Sequence, residues 1–355
     1  MNELFAAAPE AVGLSTERIG RLYETCQGWV ADGRSPALIV LAARHGGVFL
    51  HEAWGQLGPE PDSAPILHDS LFGAASVSKV VTATAVMQLV EQGRIGLHMP
   101  VQQSLPEFEG DGFELVTPRH LLTHTSGLPY RSALEPFELG RSGLKLQPGR
   151  EMAYSNLGYD LLGLLVERVS GQPFSQFTRQ AIFAPLGMKD TTFVQGGVER
   201  QRGVRPRPGT AFNWPADLYG QVSPSGTLWT TAWDLAVFGQ TFLNRGAYGD
   251  FRLLGPATVA AMTRSQVDGL PRETIGGIVS PSCGFAWFML HEVRHPNYPC
   301  LWSPQAYGHA GASGAFLWVD PAYDLVGVFL GAKLSEADYP LHAFGDALMG
   351  AITEI

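Results

Sequence analysis

The pattern of apolar and polar positions divides the chain into three stretches. Near the N-terminus, Ser15 to Ala31 carries apolar residues at helical spacing behind a capping serine, which predicts an amphipathic helix. Ala37 to Ala43 and Val48 to Trp54 are rich in β-formers and flank His45-Gly46-Gly47, a hairpin signal. The middle, about Ser76 to Met188, reads as helices and loops. Val80 to Val90 is an apolar run free of Gly and Pro; Asn156 to Val169 is apolar at helical spacing and stops at Gly171; Pro173 to Phe183 makes a shorter helix. Beyond a loop rich in Pro and Arg, Thr231 to Leu243 is helical again. Strands return at Phe285 to Leu290, Ala315 to Val319 and Leu325 to Leu330, and Leu341 to Ile355 closes as a helix. This order predicts an α/β fold: an antiparallel sheet built from both termini and flanked by helices, with a mainly helical domain inserted. The expected boundaries are 1–75 plus 220–355 for the sheet domain and 76–219 for the insertion, with the functional site at their interface.

Composition narrows the class. At 355 residues and 45% hydrophobic content the chain supports a sizeable core, which excludes a disordered protein. Its net charge of −9 shows none of the basic excess that a nucleic-acid partner requires. The three cysteines, Cys26, Cys283 and Cys300, lack metal-type spacing, and an odd, sparse set predicts free thiols in a reducing compartment. Residues Met1 to Glu10 lack the basic start and apolar run of a secretory signal, and no run is long enough to span a membrane. A cytoplasmic location is therefore expected.

The candidate chemistry begins at Ser76-Val77-Ser78-Lys79, at the mouth of the Val80 run. Residues three apart on a helix share a face, so Ser76 would hold its hydroxyl beside the Lys79 amine. A serine becomes a nucleophile when a base lies within hydrogen-bond reach, and a lysine whose charge is disfavoured by burial can be that base. The pattern occurs twice. Ser142-Gly143-Leu144-Lys145 runs into Gln147-Pro148-Gly149 and reads as a solvated loop. Lysine is scarce, with only Lys79, Lys145, Lys189 and Lys333, and one placed in an apolar helix is costly unless used or paired.

Two further motifs accompany the first. In Tyr154-Ser155-Asn156, residues two apart in an extended segment would face one cavity. A phenol near an ammonium can have its pKa lowered and pass a proton to a leaving group. The plainer reading is a structural tyrosine followed by an Asn helix cap. His309-Ala310-Gly311-Ala312 precedes a strand, and its glycine lets a ligand approach the backbone closely. His45-Gly46-Gly47 repeats the His-x-Gly pattern inside a hairpin turn and reads as surface loop.

With these motifs in this order, the chain resembles the serine β-lactamase and penicillin-binding-protein superfamily. It looks most like the branch of class C β-lactamases, D-alanyl-D-alanine carboxypeptidases, D-aminopeptidases and family VIII carboxylesterases. The likeness covers nearly the whole chain, including Pro9 to Ser15, Arg119-His120-Leu121-Leu122-Thr123-His124-Thr125-Ser126-Gly127-Leu128, Tyr154 to Tyr159 and Ala184-Pro185-Leu186-Gly187-Met188. The resemblance implies Ser76 as nucleophile, Lys79 as its base and Tyr154 as proton shuttle. It implies Asn156 as a contact to the substrate carbonyl region and the backbone N–H groups of Ser76 and Ala312 as the oxyanion hole. His309 and Gly311 would line the substrate site. Where related β-lactamases carry Lys-Thr-Gly, this chain has His309-Ala310-Gly311, exchanging a fixed cation at a partly exposed place for an imidazole that is mostly neutral near pH 7. That favours neutral substrates. The resulting expectation is an acyl-enzyme carboxylesterase on short-chain esters with weak β-lactam hydrolysis, acting on a small ester or amide without metal or organic cofactor. The alternatives within the superfamily are a β-lactamase, a D-Ala-D-Ala carboxypeptidase or a D-aminopeptidase.

Rivals of other classes read less well. His291-Glu292-Val293-Arg294-His295 fits the zinc-hydrolase pattern, which needs both imidazoles on one helix face. A β-like run precedes it, Pro296 follows, and in a strand the two rings would lie about 13 Å apart. No Gly-x-Ser-x-Gly elbow occurs. A non-catalytic penicillin-binding scaffold would have no need of Ser76, Lys79 and Tyr154 together.

Overall fold

The computed structural model describes residues 3–130, 143–193, 202–205, 222–275, 278–293, 298–332 and 340–354. Seven strands form its main sheet: β1 Phe5–Ala6, β2 Ala37–Arg44, β3 Gly47–Gly55, β4 Phe288–Met289, β5 Tyr307–Ala310, β6 Ala315–Asp320 and β7 Leu325–Gly331, in the order β1-β3-β2-β7-β6-β5-β4. The two termini meet where β2 pairs with β7, from Leu38 opposite Gly331 to Arg44 opposite Leu325. The β2–β3 turn is the His45-Gly46 pair, both at positive φ. Every neighbouring pair is antiparallel except β1 with β3, which run parallel. The sheet is antiparallel as expected except at that edge, where the chain leaves β1, passes through α1 and β2, and reaches β3 running in the direction of β1.

Around the sheet stand α1 Thr16–Ala31, α2 Ser78–Glu91, α3 Pro118–Leu122, α4 Asn156–Ser170, α5 Ala232–Leu243 and α6 Leu341–Met349. Strand β2 is buried on both faces. Leu38, Val40 and Ala42 pack with residues of α1 and α6; Ala37, Ile39, Leu41 and Ala43 belong to the larger core that includes α2, α4 and α5. Such double burial explains its unbroken apolar run. Gly239 lets α5 lie close on the sheet, since a Cβ there would fall 2.7 Å from Val326 Cγ1. Helix α2 is buried nearly all round and packs on α4, which accounts for its lack of a polar face.

Several predicted boundaries move. Ser15 caps α1, accepting from the Arg18 N–H, and α4 ends at Gly171 with φ 76°, both as expected. The expected strand from Phe285 shrinks to two residues because Ala286, at φ 71°, turns the chain. The final helix stops at Met349, and Ile352 instead bridges to Leu14. The helix after Pro173 is α-helical over Phe174–Thr178 and then loosens into a π turn, Arg179–Phe183.

Candidate active site

The segment before α2 is a strained turn held from three sides. Ala75 has φ 45°, a left-handed conformation that costs a non-glycine residue about 1–3 kcal/mol. It opens the 3-10 turn Ala75–Val77, which presents Ser76 ahead of the helix. The Ala74 N–H donates to Leu228 O at 2.7 Å, Ser78 Oγ donates to Ala75 O at 2.6 Å, and Ser78 Oγ accepts from the Leu228 N–H at 3.0 Å. From the opposite side comes Gly311, where a Cβ would lie 2.2 Å from Ala74 O. The close approach expected at this glycine is therefore made by the Ser76 turn itself. Ala312 follows Gly311 directly in the chain, and among the described residues neither the Ser76 nor the Ala312 N–H donates to a protein acceptor.

Lys79 is fully buried, with Nζ 3.2 Å from Ser76 Oγ, 2.7 Å from Asn156 Oδ1 and 2.7 Å from Ser225 O. Burial pulls its pKa down from 10.5 to about 7, with the Asp160 carboxylate opposing that fall. The donor count decides what a neutral amine can do. Asn156 Oδ1 and Ser225 O are acceptors and take its two N–H bonds, so the lone pair is left facing the Ser76 hydroxyl. In that state the amine could accept the hydroxyl's proton.

Tyr154 lies on the same side. Its ring centroid is 4.9 Å from Lys79 Nζ and its hydroxyl hydrogen-bonds Ser76. The expected lowering of its pKa is overturned: desolvation drives it above the ordinary value, and the Ser76 bond only partly opposes this. Of the two groups, the phenol holds its proton more firmly and the lysine gives up its charge more readily. Asn156 is not the helix cap. Ser155 caps α4, accepting from the Gly158 N–H at 3.1 Å, and Asn156 begins the helix with its amide free to reach Lys79.

His124, one residue within the Arg119 to Leu128 stretch, clamps Tyr154 at three points. Its carbonyl accepts from the Ala153 N–H at 2.8 Å, its Nδ1 accepts from the Ser155 N–H at 3.1 Å, and its ring stacks 4.4 Å from the Tyr154 ring. Accepting at Nδ1 puts the proton on Nε2, and burial keeps the ring neutral. His309 is likewise buried, at 2% exposure, which corrects the expected partly exposed position. Its Nδ1 donates to Ala310 O at 2.8 Å, its ring lies 5.1 Å from Phe288, and desolvation pushes its pKa down to about 3. Position 309 therefore carries no charge.

The other patterns fall elsewhere. Ser142 lies outside the described residues, and Lys145 is exposed. His291 and Glu292 sit on the single 3-10 turn Leu290–Glu292 rather than an extended strand, Glu292 is engaged by Arg272 and Ser282, and His295 lies outside the described residues. Among the described residues no group of three His, Cys, Asp or Glu side chains could hold a metal ion. Cys26, Cys283 and Cys300 are free thiols. No described helix is long and apolar enough to cross a membrane.

A mixed sheet flanked by helices thus carries a serine, a buried lysine and a tyrosine brought close together. The profile of the β-lactamase family matches residues 21–348, and the chain belongs to that family. It is a serine hydrolase of the β-lactamase and penicillin-binding-protein superfamily. A protein of Salmonella agona provisionally named D-alanyl-D-alanine carboxypeptidase is 26% identical over 93% of this chain and 86% of its own. Two solved structures share the fold. A penicillin-binding-protein homologue from Caulobacter crescentus has a TM-score of 0.77 at 22% identity, covering 94% of this chain and 99% of that one. A hydrolase with promiscuous acyltransferase activity has a TM-score of 0.74 at 22% identity, covering 95% and 99%.

Proposed function

We propose that the enzyme is a carboxylesterase for short-chain, uncharged esters, with weak β-lactam hydrolysis as a side activity. Ser76 Oγ attacks the ester carbonyl carbon while its proton passes to Lys79 Nζ. The oxyanion is held by the N–H groups of Ser76 and Ala312, and Asn156 borders the carbonyl region. The bond to the alcohol oxygen breaks as Tyr154 donates its proton there and regains one from Lys79. Water then attacks the acyl-Ser76 ester by the reverse proton path and releases the acid. On this reading the helical segment 76–219 and the sheet domain, 1–75 with 220–355, contribute opposite walls of one cleft. The three unpaired cysteines suit a reducing, cytoplasmic setting.

The ester preference rests on His309. A buried neutral imidazole cannot make the charge-assisted bond that a lysine there would offer a substrate carboxylate. The second reading, a D-alanyl-D-alanine carboxypeptidase or β-lactamase, draws on the name of the Salmonella relative. A series of p-nitrophenyl esters of rising chain length, run beside nitrocefin and a D-Ala-D-Ala peptide, separates the two. The ester reading expects kcat/KM for the short esters to exceed that for nitrocefin and the peptide by about 100-fold. The reverse order would establish the second reading.

A further inference from the structure

One buried carboxylate has no part in that proton path, yet the site is built around it. Asp160 lies on α4, one helical turn beyond Asn156. Its Oδ1 accepts from Ser223 Oγ at 2.8 Å and from the Ser225 N–H at 3.1 Å, and Ser223 Oγ lies 3.0 Å from Ser225 Oγ. The same short segment turns its carbonyls towards α2: Pro224 O accepts from Thr82 Oγ1 at 2.7 Å, and Ser225 O accepts from Lys79 Nζ at 2.7 Å. Its seat on α4 depends on Gly163, where a Cβ would fall 2.0 Å from Pro224 Cγ. Residues 223–225 are thus a bridge, with Asp160 at one end and the amine of Lys79 at the other.

We propose that Asp160 is a positioning residue for Lys79: through Ser223 and Ser225 it holds a carbonyl on the amine, and its negative charge balances that amine in a buried site. The proposal rests on the reading of Lys79 as the base for Ser76. The groups around Lys79 single Asp160 out. Tyr154 and Tyr159, with ring centroids 4.9 and 5.6 Å from Nζ, are both driven towards the protonated form, and His124 and His309 are both driven towards the neutral form. Asp160 is the carboxyl group among them: burial raises its own pKa, the hydrogen bonds from Ser223 and Ser225 and the nearby Lys79 favour its charged form, and that charge raises the basicity of Lys79 against burial. Without its charge the amine loses its proton at lower pH and becomes a weaker base. Without its oxygen atoms the Ser225 carbonyl loses its anchor.

The test measures the rate at which a fluorophosphonate modifies Ser76, followed by mass spectrometry from pH 5 to pH 9, together with kcat/KM for p-nitrophenyl butyrate. Asp160→Asn keeps an acceptor for Ser223 and Ser225 but removes the charge. Its acid limb should shift to lower pH by about one unit, with a lower plateau, in both measurements. Asp160→Ala should lose plateau rate further, by about tenfold beyond the Asn variant, as the bridge comes loose. Thermal melts identify any variant that fails to fold, and Ser223→Ala then serves as the milder break, lowering the plateau with the acid limb in place. Two outcomes overturn the idea in different ways. An acid limb unmoved in Asp160→Asn, while Lys79→Ala abolishes labelling, sinks the role of Asp160 alone. Failure of wild-type Ser76 to label, or full labelling of Lys79→Ala, overturns the reading of Ser76 and Lys79 and this proposal with it.

Discussion

Among the described residues one lysine and one arginine are buried, and their surroundings differ. Arg44, 3% exposed at the end of β2, donates through Nη1 to Val12 O and Gly13 O at 2.9 and 3.1 Å. It also donates through Nε to Tyr323 O at 2.9 Å and through Nη2 to Glu354 O at 2.6 Å. It ties the N-terminal turn, the β6–β7 turn and the C-terminal segment together. Every one of those partners is a backbone carbonyl, and a guanidinium does not give up its charge in a protein. Lys79 is equally buried but has two carbonyl partners and one hydroxyl, and an amine can become neutral. A cation surrounded by acceptors alone is a clasp. A cation with one partner that can give up a proton, and a proton of its own that it can lose, has what the proposed mechanism asks of a base.

The sharpest way to break this comparison is to exchange the two chemistries. Lys79→Arg keeps a charge that cannot be discharged, so turnover of p-nitrophenyl butyrate should fall on the order of 10⁴-fold, close to the loss in Lys79→Ala or Ser76→Ala. Melting profiles should show that Ser76→Ala still folds. Substantial activity in the Arg variant would make Lys79 a fixed charge and leave Tyr154 as base. The reciprocal change, Arg44→Lys, leaves some of the four carbonyls without donors. It should reduce stability by about 2–3 kcal/mol in urea titrations, with kcat of the folded enzyme unchanged. A fall in kcat without a fall in stability would show that the two regions are not separable.

The same contrast predicts a pH dependence. In the proposed mechanism Lys79 must be neutral to accept the Ser76 proton, so kcat/KM should rise with pH through about 7 and then level off. The stability consequence has a definite sign. The folded pKa lies below the ordinary 10.5, so between about 7 and 10.5 the unfolded chain binds the extra proton and stability contributed by this residue climbs with pH. Lys79→Met should therefore exceed wild type in stability most at or below pH 7, with the gap closing towards pH 10. A constant gap across urea titrations at pH 6, 8 and 9.5 would contradict a depressed lysine pKa.

The smallest expected effect concerns a third cation, placed where the chain has none. His309→Lys should raise kcat/KM for carboxylate-bearing β-lactams relative to p-nitrophenyl butyrate by about tenfold, whereas His309→Gln should leave that ratio nearly unchanged. Crowding by the longer side chain, and repulsion from Lys79, would lower activity on both substrate classes without touching the ratio. An unchanged ratio in the Lys variant would mean that another group handles the carboxylate. Arg131, which lies outside the described residues, is the first to test.

What the chain determined by itself is what local spacing can carry. Ser76 and Lys79 meet because residues three apart lie one turn apart, here across the junction of the 3-10 turn and α2; the β2–β3 turn follows from His45-Gly46; α1 begins at a serine cap and α4 stops at a glycine free to adopt positive φ. Each needs only neighbours in sequence. The tertiary structure decided everything that depends on desolvation or on a distant partner. Nothing near Tyr154 in sequence tells that its pKa rises while that of Lys79 falls, because both follow from how completely each is buried. Asp160 and the Ser225 carbonyl reach Lys79 only after the 223–225 segment settles on α4 at Gly163, and Gly311 meets Ala74 only when β5 has closed against the turn. The motif could name the pair that meets. Whether the lysine carries a charge is set by packing across the whole fold, since a charge is stabilised or removed by all the atoms around it, not by those beside it in the chain.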